Sequence, residues 1–240
     1  MERKRIKLTD VLAIGAHPDD VEIGMGGAIA TWAAHEIQVH IVDLTEGEMS
    51  SNGTVETRRI EASRAAEVLG ATRENAQFPD RGLQNVRTEA LAFLVELIRT
   101  QRPKAVFAPF PHDRHPDHAH ASSLVKEAVF SAGIQKFAPD AGRSIKGVSL
   151  YYYMINGFHN PDFVVDIGSS YEKKKQSLLA YTTQFGESSD VQTPLTYGYL
   201  EALEGRDRLM GKEVGLTFAE GFLTEKPLLF SMDMVRGGQG

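Results

Sequence analysis

The stretch "VLAIGAHPDD", Val11 to Asp20, opens as an unbroken apolar run and closes on an imidazole, a proline and two adjacent carboxylates. A short run this apolar reads as a strand buried on both faces, as in a parallel sheet covered by helices. The small and apolar "GMGGAIATWAAHE" (24–36) follows as a helix packed closely on that sheet. Further along, "VHIVDLT" (39–45), "KAVFAPF" (104–110), "GVSLYYYMI" and "FVVDIG" read as strands, with a short strand possible in "NAQFPD". Helical periods occupy 55–70, 88–101 and 117–133, then "SYEKKKQSLLAYTTQF" and "PLTYGYLEALEGRDRLMG". Gly70 provides a C-terminal stop, and Pro103 ends the helix before it. Alternation of strand and helix predicts an α/β fold, a Rossmann-like, mostly parallel sheet with helices on both faces. Neither a linker nor a low-complexity tract interrupts the chain, so residues 1–240 read as a single domain with a frayed "VRGGQG" end.

The same His-Pro-Asp pattern returns in "FAPFPHDRHPDH", again directly after an apolar strand. Ligands of open α/β sheets collect beyond the carboxyl ends of strands. If the two strands are neighbours, His17, Asp19, Asp20, His115, Asp117 and His118 converge in one crevice. Helix capping alone accounts for much of "HPDD", since proline suits the first helical position and aspartate complements the dipole there. It accounts poorly for "HDRHPDH", where three histidines fall within seven residues. A two-histidine, one-carboxylate metal site accounts for both. His17 and Asp20, three apart on a first helical turn, share a face, and a histidine of the second turn completes three protein ligands with a position open for water. Spacing leaves His115, His118 and His120 all eligible as that third ligand. Asp19, beside the ligands, is placed as a general base for metal-bound water. Asp117 is placed to orient a histidine, and the remaining imidazole, kept cationic, to stabilise an oxyanion.

Bulk properties narrow the partners. The 240 residues carry a net charge of −6, which argues against a general nucleic-acid surface, and "EKKKQ" (172–176) reads as a solvated helix face. There is no cysteine, so a transition metal must be held by His, Asp or Glu; zinc and Fe2+ suit the same ligands. "VLAIGA" is too short for a secretory core or a membrane span, which makes a cytoplasmic, membrane-free protein the expectation. Arg58 and Arg114 are candidate clamps for a substrate carboxylate. The glycines of "GMGG" are better explained by close helix–sheet packing than by a nucleotide fingerprint.

"AHPDD" with "HPDH" resembles the LmbE-like (PIG-L type) zinc-dependent N-acetylglucosaminyl deacetylases. "AHPDDVEIGMGG", "DLTEGE", "ETRRIEA", "ENAQFPDRGLQN" and "RPKAVFAPFPHDRHPDHAHASSLVKEAVFSAG", with "FVVDI" and "YTTQF", look like the bacillithiol-biosynthesis branch, which deacetylates N-acetylglucosaminyl-malate. The resemblance implies zinc ligands His17, Asp20 and His118, a general base Asp19, and His115, held by Asp117, at the oxyanion or leaving amine. It implies that Arg58 and Arg114 contact the sugar or malate carboxylates, and that the chain forms a homohexamer. Where the wider family often has glutamate after HPDD, this chain has Val21, then Glu22, and neither is given a catalytic role. The alternatives are the same chemistry on a chitooligosaccharide or diacetylated metabolite, or a non-catalytic metal- or sugar-binding module.

Overall fold

A computed structural model describes residues 9–186 and 191–229; the "VRGGQG" end lies outside them. The strands are β1 (Val11–Gly15), β2 (Val39–Thr45), β3 (Thr72–Phe78), β4 (Ala105–Pro109), β5 (Ser149–Tyr153), β6 (Phe163–Asp166) and β7 (Ala219–Leu223). They form one sheet in the order β3-β2-β1-β4-β5-β7-β6. β1 to β5 run parallel, while β7 pairs antiparallel with both β5 and β6. The expected α/β fold with a mostly parallel sheet is therefore present.

Period-2 alternation explains the two cores. Leu12 and Ile14 join Val42, Leu44, Val106 and Ala108 on one face, under α3 (Arg87–Gln101) and α4 (Pro116–Ala132). Val11 and Ala13 join Ile41 and Phe107 on the other, under α1 (Asp20–Ala34) and α5 (Tyr171–Leu179). Two further helices, α2 (Val55–Leu69) and α7 (Tyr199–Glu213), flank the sheet, with a short turn of helix, α6 (Thr182–Phe185), between α5 and α7. Strand order reverses between β1 and β4, which are direct neighbours, and the two His-Pro-Asp turns follow those strands. This is the switch point where an open sheet leaves a crevice.

Several elements differ from the sequence expectation, each for a local reason. α1 starts at Asp20, not at the glycines, because the Asp20 carboxylate closes the turn by accepting the amides of Ala16 and His17. β3 is longer than "NAQFPD" suggests, extending along β2 from Thr72. β7, "AEGFL", went unread because a glutamate and a glycine break its apolar run. Glu220 is buried, accepting the amides of Gly27 and Ala28 just past the irregular Met25 of α1. Lys174, read as solvent-facing, is buried with Nζ 2.6 Å from Asp207 Oδ2 and 2.7 Å from Glu220 Oε1. Its neighbours Lys173 and Lys175 are exposed, as expected.

The glycines of "GMGG" do serve packing. A Cβ on Gly24 would sit 2.1 Å from the Tyr153 ring, and one on Gly27 2.8 Å from Ile167. Tyr153 is fully buried and donates its hydroxyl to Ile14 O, so the ring has nowhere to move. Gly24→Ala is expected to cost about 1–3 kcal/mol through overpacking. Thermal unfolding should show a fall in Tm of roughly 3–10 °C; an unchanged Tm would contradict the close packing of α1 on β5.

Candidate metal centre and active site

The first turn is shaped by its carboxylates. Asp20 places Oδ2 on the Ala16 and His17 amides, 3.0 and 2.9 Å away. Asp19 adopts φ 107°, a left-handed conformation costly for a residue with a Cβ and one that clusters at functional sites. Arg58, reaching over from α2, donates Nη2 to Pro18 O and to Asp19 Oδ2, the latter at 3.0 Å. The second turn begins α4, with Pro116 at its first position and His115 as its cap, His115 Nδ1 accepting the Asp117 amide at 3.3 Å.

The two turns meet. His118 Nε2 is 3.1 Å from Asp20 Oδ1, and His17 Nδ1 is 3.5 Å from Asp20 Oδ2. The ring centroids of His17 and His118 are 5.5 Å apart, and His115 lies 4.7 and 4.8 Å from them. Behind each imidazole stands another carboxylate. His118 Nδ1 is 2.9 Å from Asp113 Oδ1, and His17 Nε2 is 3.1 Å from Asp80 Oδ1. Metal-bound histidines typically present one nitrogen to the ion and the other to such a carboxylate. The imidazole nitrogens and carboxylate oxygens gathered between the two turns are donors that suit a divalent cation. Donor atoms of His17, His115 and His118 lie within 4.8 Å of one another, as do those of His17, Asp80 and Asp117, while Asp20 faces His17 with one oxygen and His118 with the other.

The electrostatics point the same way. Burial works against charge on His17, yet the carboxylates of Asp117, Asp20 and Asp80 raise its pKa well above the ordinary imidazole range. His118 is pushed up to about 9, Asp20 and Asp113 outweighing burial. Burial opposes ionisation of Asp20, but His118 and His17 hold its carboxyl well below the usual range. This cluster favours positive charge at its centre, as protons on the imidazoles or as a metal ion in their place.

His17, Asp20 and His118 line a cavity of about 500 Å³ that also receives Asp19, Arg58, Asp80, Arg81, Arg114 and His115. A family model described as PIG-L: GlcNAc-PI de-N-acetylase matches residues 12–129. The diacetylchitobiose deacetylase of Thermococcus kodakarensis is 36% identical over 228 residues, covering 88% of this chain and 81% of that protein. The chain belongs to the PIG-L family. The crystal structure of the conserved protein TT1542 from Thermus thermophilus superposes with a TM-score of 0.83 at 36% identity, over 94% of this chain and 98% of that one. The 4-oxalmesaconate hydratase of Pseudomonas putida is 29% identical, over 80% of this chain and 83% of its own length.

Within this PIG-L fold, His17, Asp19, Asp20, His115 and His118 all reach the cavity. Three placements differ from expectation. The Asp117 carboxylate does not hold His115: it accepts the Arg81 amide at 2.7 Å and lies 3.6 Å from His17 Nε2. Only two residues beyond the cap, Asp117 offers His115 its backbone N–H instead. Burial and the neighbouring His17 and His118 lower the pKa of His115, against the expectation of a cationic ring. Arg58 is buried against Asp19 and serves the turn, whereas Arg114 is exposed at the cavity. Tyr199 donates its hydroxyl to Ile155 O, Tyr197 stands exposed, and His120 Nδ1 lies 3.5 Å from Asp117 Oδ1.

Asp80 and Asp113 were not singled out from the sequence. Asp113 sat inside the quoted "PHDRHPDH", but its role needed the loop after β5, where Asn156 donates both its backbone and side-chain N–H groups to the same carboxylate. Asp80, in "FPDRG", comes from the end of β3, which β2 and β1 separate from β4. Asp80→Asn and Asp113→Asn should each weaken metal binding about 10–100-fold. Chelator competition measures this, and unchanged affinity in both variants would contradict the arrangement. Because neighbouring carboxylates raise the pKa of His17 and His118, a metal ion competes with protons for these two imidazoles. Apparent affinity should rise with pH up to about 9; a pH-independent affinity would contradict it.

Proposed function

We propose that the protein is a metal-dependent N-deacetylase that hydrolyses the acetamide of an N-acetylglucosaminyl conjugate. The observation that carries this reading is the placement of Asp19. It shares the cavity with the three metal-facing donors, yet its carboxylate is bonded only to Arg58 among the described residues. Burial pushes its carboxyl up to about 7, with Arg58 pulling back, which suits a base that must gain and lose a proton near neutrality.

His17, Asp20 and His118 would hold a divalent ion, which would supply a Lewis acid and lower the pKa of the attacking water towards about 7. Asp19 takes the proton of the attacking water. The water oxygen adds to the acetyl carbon, and as the C–N bond breaks the proton taken up by Asp19 passes to the nitrogen, so that acetate and a free amine leave. His115 receives a hydrogen bond at Nδ1, so the neutral ring keeps its own hydrogen on Nε2 and can donate it to the developing oxyanion. Asp117 fixes the Arg81 backbone and the back of His17. Arg114, free of ion pairs among the described residues, remains the candidate for an anionic group on the conjugate.

Zinc is the proposed metal, with Fe2+ an alternative in the cell. Similarity to the bacillithiol branch supports N-acetylglucosaminyl-L-malate as substrate. The chitobiose-acting relative supports the second reading, deacetylation of a chitooligosaccharide. Cytoplasmic location and assembly as a homohexamer belong to the same proposal; among the described residues no helix is long and apolar enough to cross a membrane.

Acetate release from N-acetylglucosaminyl-malate, diacetylchitobiose and N-acetylglucosamine, on metal-analysed protein, separates these readings. Asp19→Ala should keep its metal and lose about 10²–10⁴ in kcat. Full turnover in that variant would remove Asp19 as the base, and no metal-dependent acetate release from any of the three would overturn the proposal.

A further inference from the structure

The cavity has a neutral side as well as a charged one. Met49, Ser50 and Ser51 line it from the loop between β2 and α2, and Thr193, Pro194 and Leu195 line it from the segment before α7. Apolar carbon alternating with hydroxyls is the chemistry that meets a pyranose ring, whose C–H face and hydroxyl edge need both. The acids, imidazoles and arginines of the cavity come instead from α2 and from the turns after β1, β3 and β4.

Among the described residues neither loop pairs with a strand; the Met49 amide rests on Asp80 Oδ2 at 3.2 Å, and Asn52 joins the two loops. It is 4% exposed, yet its side chain imitates a strand edge. Nδ2 donates to Val191 O at 2.8 Å, and Oδ1 accepts the Val191 amide at 2.9 Å. Its own carbonyl accepts from buried Gln184 Nε2 at 2.9 Å and from Ser50 Oγ at 3.1 Å. The adjoining Gly53, at φ +76°, lies so close that a Cβ there would be 2.8 Å from Thr183 Oγ1. α6 is in turn clamped to α2 by Glu61, which accepts from the Thr182 hydroxyl and from the Thr183 amide and hydroxyl at 2.8–2.9 Å. Arg58, less than one turn earlier on α2, grips Asp19. The neutral wall and the turn bearing Asp19 are thus referenced to the same helix.

We infer that the 49–51 and 193–195 segments form one sugar-binding wall and that Asn52, by pairing with Val191, is the residue that positions it. This rests on the N-acetylglucosaminyl reading above. Among the described residues Asn52 hydrogen-bonds to Val191, Gln184 and Ser50 and to none of His17, Asp19, Asp20 or His118, so its loss should be felt in substrate binding.

The test uses metal-loaded enzyme and whichever of N-acetylglucosaminyl-malate or diacetylchitobiose it turns over. Asn52→Ala removes two buried hydrogen bonds and should raise KM about tenfold or more, with kcat within roughly threefold and metal content per chain unchanged. Asn52→Asp keeps the acceptor for the Val191 amide but turns a carboxylate oxygen onto Val191 O, and should raise KM at least as much. Hydrogen exchange at residues 50–53 and 191–195 should quicken in both variants without any substrate present. An unchanged KM, a parallel loss of kcat and metal, or unaltered exchange would each overturn the inference. Should the wild-type enzyme deacetylate neither compound, the functional reading fails, and exchange still decides whether Asn52 holds the two loops together.

Discussion

Asp20 is a buried carboxylate shared between two turns that are almost a hundred residues apart. One oxygen takes the amides of Ala16 and His17 and so sets the first turn; the other faces His118 at the head of α4. An anion with this little water needs positive charge beside it, because a buried charge left without its partner costs several kcal/mol. The pairing of β1 with β4 brings the two turns together, and the charge requirement of Asp20 gives the meeting point its chemistry. The remaining carboxylates refine that demand. Asp80 and Asp113 stand behind the imidazoles and turn them, while Asp19 is diverted to Arg58 and left facing the cavity.

The surrounding scaffold carries its own buried charges, each balanced locally. Arg73 joins Asp43 to Glu22, which also accepts the Tyr181 hydroxyl at 3.1 Å. Lys174 joins Asp207 to Glu220, and through Glu220 the interrupted amides of α1. α1 is therefore held at its start by Asp20, within its first turn by Glu22 and midway by Glu220. Such networks are weak contributors to net stability, but breaking one partner is expensive, so they resist drift in the helix that presents Asp20. Glu22, given no catalytic role from the sequence, has this structural one.

Much of the architecture could be read directly because it depends on local pattern. "VLAIG" and "VHIVDLT" are buried on both faces and look it; the paired His-Pro-Asp turns mark the carboxyl ends of neighbouring strands. What could not be read depends on partners distant in sequence. Lys174 looks solvated among its lysines until Asp207 and Glu220 arrive from α7 and β7. Arg58 looks like a free cation until Asp19 takes it, and Asp117 looks like the partner of His115 until the Arg81 amide claims its carboxylate. Asp80 gives no signal in "FPDRG", because its meaning lies in facing His17 from another strand. Side-chain identity announced the chemistry, and topology assigned the roles.

The central claim is that His17, Asp20 and His118 enclose a single cation between the two turns. A crystal structure of zinc-loaded protein, with anomalous difference maps on both sides of the zinc edge, tests it most directly. The account predicts one strong peak bonded to those three side chains, with Asp80 and Asp113 hydrogen-bonded to the outer nitrogens of the two imidazoles. A peak held instead by His17, Asp80 and Asp117, or no peak between the turns, would contradict it.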